Sequence, residues 1–161
     1  MLATLLGLWA ALAVQAPDSA KTARYSADLR ALDDSLGAVR GAAAQFRADL
    51  TYASPDLVIA RAQRMRGRCL GGLAAAARLD STLAAGPYLA RAAHAEARLR
   101  RDLAAVRRAL GECRRDFDTG LRYPAADSAK AWGPYRLSRL EAAIRVYTAA
   151  AQILREQAGI K

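Results

Sequence analysis

LARAAHAEARLRRDLAAVRRALGECRRDF, residues 89–117, is the stretch that decides the fold. Leu89, Ala92, Glu96, Leu99, Leu103, Val106, Leu110, Cys113 and Phe117 recur at alternating steps of three and four. On a helix that spacing keeps one stripe turned toward a partner over many turns, as packed bundles require. The same rhythm runs through Tyr25, Leu29, Leu32, Leu36, Val39, Ala43, Phe46 and Leu50. It returns in Val58, Ala62, Met65, Cys69, Gly72, Ala76, Leu79 and Leu83, and again in Leu137, Leu140, Ile144, Tyr147, Ala151 and Leu154. Four seams in one domain's length of chain predict an all-α, up-down-up-down antiparallel four-helix bundle.

The punctuation agrees. Asp18 or Ser19 can cap the first helix, and Ser54-Pro55-Asp56 offers an N-cap, a first-turn proline and an acid at the positive helix end. Gly86-Pro87 and Gly133-Pro134 both read as helix openings, and Gly120 as a helix end. The expected helices cover roughly 18–50, 55–84, 87–118 and 134–158 within a domain spanning 17–161, leaving 119–132 as the one long connection. Gly71-Gly72 is the expected kink, since glycine costs roughly 1 kcal/mol against alanine in a helix interior.

Ahead of the bundle, residues 2–14 (LATLLGLWAALAV) are apolar or small without interruption. Their length suits a signal-peptide core and falls short of the ~20 residues that span a bilayer. Small-residue cleavage sites stand at Ala11-Leu12-Ala13 and Val14-Gln15-Ala16, so residues 1–16 are expected to be a signal peptide and the product periplasmic or secreted. No Lys or Arg precedes the run, a departure from the usual signal pattern.

Export makes Cys69 and Cys113 candidates for a disulfide. Both sit on seams, which favours a bridge between the second and third helices. In a symmetrical hairpin turning at Gly86, however, they are offset by ten residues, or ~15 Å of helix. A bridge therefore requires an asymmetric hairpin with part of 80–90 extended.

Chemistry is sparse. One histidine, His94, lies off the seam, and no metal, haem, nucleophile or phosphate-loop motif occurs, so the expectation is a protein without enzymatic activity, metal or cofactor. Glu96 is the one charged seam residue; it can snorkel, pair with an arginine, or line a pocket.

What remains is charge. The chain carries a formal +10, almost all of it from arginine. Arg100-Arg101, Arg107-Arg108 and Arg114-Arg115 repeat at heptad spacing, a stripe ~20 Å long on an outer helix face. Guanidinium forks suit phosphate and carboxylate. Arg61, Arg64, Arg66 and Arg68 add a second basic stretch. Asp102, Glu112 and Asp116 are expected to neutralise the stripe in part, and an Ala/Arg-rich composition also arises from base composition alone. The leading expectation is an exported, non-enzymatic bundle acting through its surface, as an interaction or structural protein of the envelope. The second is an anion-binding module for lipopolysaccharide, acidic glycan or anionic membrane; export would exclude nucleic acid. The third is a small-ligand carrier with a pocket at Glu96, Tyr147 or the aromatic 119–132 segment. An Ala-rich outer face also leaves a homodimer open.

Overall fold

The computed structural model of the chain describes residues 19–50, 52–86, 92–122 and 126–160. The apolar run and both candidate cleavage sites lie outside them, as do Pro87 and Tyr123. Four helices follow in order: α1 (Ser19–Asp49), α2 (Pro55–Ala84), α3 (Ala93–Arg122) and α4 (Ala126–Ala158). They pack as an all-α four-helix bundle. Each sequential pair runs side by side, while the α1 and α4 backbones approach each other closely over only a short length. No helix among the described residues is long and apolar enough to cross a membrane.

The seams are the core. All their residues within the described segments are buried, with Leu29, Leu32, Val39, Met65, Leu99, Leu103, Leu110, Ile144 and Tyr147 fully enclosed. Local chemistry sets the ends. Ser54 is extended (φ −62°, ψ 155°), and its Oγ accepts from the Leu57 N–H, with Pro55 opening α2 behind it. Gly86, at φ +121°, takes a left-handed turn that a side chain would strain. At the other end of the chain Gly159 (φ 68°) lets the Ile160 N–H reach back to the Arg155 carbonyl at 3.0 Å, closing α4. α2 continues through Gly71 and Gly72 without interruption.

Two expectations about boundaries are corrected. α3 does not stop at Gly120 but runs to Arg122, and α4 begins at Ala126 instead of 134. Most of the anticipated 119–132 connection is therefore helix, and Pro134 lies inside α4. An interior proline costs about 3 kcal/mol, and packing of the turns that precede it works against that cost. Ala129 is buried, and the Trp132 ring meets Phe117 edge-on at 5.3 Å, which in turn meets Phe46 at 5.1 Å. Gly133 is not a turn residue. It continues the α4 seam backward from Leu137, and a Cβ there would come within 2.9 Å of Phe46 Cε1.

The hairpin of α2 and α3 is asymmetric, and this resolves the cysteine offset. α2 ends at Ala84, just before Gly86, whereas α3 starts only at Ala93. Contacts between the two helices centre near position 91, beyond Gly86, and each five-residue shift of centre moves cross-helix partners by ten. Cys69 and Cys113 are equidistant from 91 and form a disulfide (Cα–Cα 6.3 Å). Gly72 and Leu110 share that centre, and a Cβ on Gly72 would meet Leu110 Cδ1 at 3.2 Å. Glycine here permits the close approach that the disulfide needs.

Candidate functional site

On α3, the seam faces the core and the arginine pairs face outward. Between them runs a row of small residues, Ala97, Ala104 and Gly111, at the same seven-residue interval. Arg100, Arg107 and Arg114 stand on the side of this row toward α2; Arg101, Arg108 and Arg115 stand on the other. Where α2 runs alongside, the row deepens into an open groove of about 460 Å³. Its floor is Ala104 and Gly111 with Leu73 of α2, and its walls are Arg107, Arg108, Arg115 and Glu112. The groove thus gathers three of the six stripe arginines; Arg100, Arg101 and Arg114 lie along the same helix but do not line it.

The two rows differ in their commitments. Arg100 donates to the Leu83 carbonyl and to Glu96 Oε1 (2.6 Å), which places a guanidinium over the negative end of α2. Arg107 is paired with Asp80 of α2. Arg101, Arg108 and Arg114 make no ion pair among the described residues, and all three are exposed. The acids expected to neutralise the stripe in part have nearer arginine partners outside it, although Asp116 also feels Arg115. Asp102 faces Arg98 (3.9 Å), Glu112 faces Arg139 of α4 (3.8 Å), and Asp116 faces Arg136 of α4 (3.5 Å). Burial pushes the Asp116 carboxyl above its ordinary range; Arg136 opposes this and Glu112 adds to it.

The second basic stretch is partly consumed inside the molecule. Arg61 binds Asp49 at 2.6 Å and Arg66 faces Asp118 at 3.1 Å, while Arg64, Arg68 and Arg78 are exposed on α2 away from the groove. Taken singly, Leu73, Ala104 and Asp80 carry no signal of a site in the sequence, and Gly111 reads there only as a helix-weakening glycine. The heptad spacing of Ala97, Ala104 and Gly111 was the available signal.

The region around Glu96 has little space. Glu96 is 4% exposed, holds Arg100, and borders a crevice of about 10 Å³ shared with Tyr25, Ala92 and Leu154. That is roughly the room needed for one water. Tyr147 is fully enclosed, and its hydroxyl has no hydrogen-bond partner among the described residues. Burial raises its pKa, the Asp33 carboxylate raises it further, and Arg155 works against both. His94 is exposed, and no group of three metal-ligating side chains occurs among the described residues. Trp132 is packed on Phe117, whereas Tyr135 is 66% exposed.

No protein-family model, curated protein or solved structure matches this chain.

Proposed function

We propose that this chain is an exported, non-enzymatic helical bundle that binds an anionic partner along α3, in the groove walled by Arg107, Arg108 and Arg115. The observation that carries this reading is the concavity itself. Three guanidinium groups border one groove of about 460 Å³ against a single carboxylate, Glu112, which itself faces Arg139 of α4 at 3.8 Å; Arg107 is paired with Asp80, and Arg108 and Arg115 are the exposed pair. Arginines spread on a convex surface are screened by water and salt; arginines converging on a recess act together on one ligand. Export is supported by the signal-like residues 2–14 together with the Cys69–Cys113 bridge, because disulfides persist in oxidising compartments. A carrier of small molecules is disfavoured by the crevice at Glu96, which holds about one water's volume.

The test is titration of the oxidised protein with inorganic tripolyphosphate at low and high salt. Binding is expected to weaken steeply with salt and to fall tenfold or more in the Arg108→Gln/Arg115→Gln variant. The equally charged Arg64→Gln/Arg78→Gln variant is expected to bind as the parent does. Equal losses in both variants would mean that net charge, not the groove, attracts anions, and absence of binding would reject the reading.

A further inference from the structure

We infer that the occupant of this groove is an acidic amphipathic helix of a partner protein, lying along α3 as a fifth helix. This rests on the groove being the binding surface, and it adds what kind of molecule fits it. The floor is apolar and low. Leu73 is half-buried, Ala104 is exposed, and a Cβ built on Gly111 meets nothing within 4 Å. Gly111 has no positive φ and touches no neighbour that would exclude alanine, yet it occupies a helix interior where alanine is the more stable residue. Gly111, like Gly37, Gly41, Gly67 and Gly71 on other faces, leaves open space over the helix, and in the groove that space admits close approach of another backbone.

The rims are cationic and periodic. Arg101, Arg108 and Arg115 recur every seven residues, ~10.5 Å along the axis. A second helix repeats with that same period, so one carboxylate per heptad meets one guanidinium while its apolar stripe rests on Leu73, Ala104 and Gly111. A bare phosphate or sulfate polymer has no use for an apolar floor, and a lipid surface is flat where this site is recessed.

The chain itself supplies no such helix. Its net charge of +10 opposes a second copy, and Asp33, Asp49, Asp80, Glu96 and Glu141 are already held in internal ion pairs. Residues 1–17 contain no acid at all.

The experiment uses the full oxidised protein and four probes. These are a four-heptad peptide with an apolar stripe flanked by glutamates, a scrambled peptide of identical composition, tripolyphosphate, and vesicles of anionic phospholipid. The patterned peptide is expected to bind at least tenfold tighter than the scramble and to become helical on binding. Ala104→Gln with Gly111→Gln raises the floor without changing charge. It is expected to weaken the patterned peptide tenfold or more and to leave tripolyphosphate within about twofold, the size of a few tenths of a kcal/mol. Equal binding of both peptides, or no effect of the raised floor on the patterned one, overturns the inference, as does vesicle binding without peptide binding. Tripolyphosphate binding that survives those outcomes leaves the anion-binding reading standing; its absence removes both.

Discussion

Between α1 and α4, two arginines are tied across the bundle. Arg47 makes a two-pronged contact with Glu141, at 2.7 and 2.8 Å, and Arg155 reaches Asp33. Along the outer side of α3, away from the contact with α2, Arg101 and Arg108 meet no acid among the described residues, and neither does Arg114 farther along the helix. The difference follows from what each arginine faces. The α1 and α4 backbones approach closely over only a short length, so long side chains fill and bridge the space between them. α2 and α3 are drawn together by Gly72 and the disulfide; Arg100 and Arg107, on the side toward α2, bond across to it, while Arg101 and Arg108, on the far side, face outward. The number of arginines in a sequence therefore says little about binding; which helix contact they flank says more.

Removing the covalent link should produce the largest effect. Cys69→Ala with Cys113→Ala is expected to lower unfolding free energy by about 3–4 kcal/mol, the loop-closure value for a separation of 44 residues. Denaturant titration checks it. A loss below about 1 kcal/mol would mean that seam packing alone fixes the α2–α3 register.

Gly133→Ala probes a tight contact between α1 and α4. Its new methyl would strike the buried Phe46 ring, which is also held by Phe117, so a loss of about 1–3 kcal/mol is expected. Gly71→Ala, with nothing within 4 Å, should instead stabilise by up to about 1 kcal/mol. Equal effects at both glycines would erase the distinction between a close contact and an open face.

The smallest change should come from Tyr147→Phe. Its buried hydroxyl lacks a partner among the described residues, so deleting it is expected to stabilise by about 1 kcal/mol. The advantage should widen above about pH 10. With the folded pKa raised by burial and by Asp33, the parent's contribution is intact at lower pH and is lost once the unfolded tyrosine ionises. Stability curves for both proteins across that range would show it; a gap that narrows with rising pH would contradict it.

Much of the fold was legible because every seam in the described segments is buried, and periodicity alone reveals a buried stripe. The start of α4 was not. Gly133-Pro134 repeats the Gly-Pro of 86–87 in sequence, and only the Phe46 ring distinguishes a glycine that makes room from one that turns the chain. The cysteines were placed on the right seams, but their pairing depended on where the hairpin was centred, five residues beyond the glycine that suggested it. The arginine stripe was legible as a stripe. Its commitments were not, because Asp80, Arg136 and Arg139 belong to other helices and lie far away in sequence.

Arg108 and Arg115, which line the groove on α3, are the guanidinium groups an anion should reach first, and the arginines tied between α1 and α4 are not. Arginine-labelled NMR during tripolyphosphate titration tests this most directly, through the Nε–Hε signal of each residue. The account predicts saturable shifts at Arg108 and Arg115 with Arg47, Arg64, Arg78 and Arg155 unmoved. Shifts spread evenly over all arginines, or centred on Arg64 and Arg78, would contradict it.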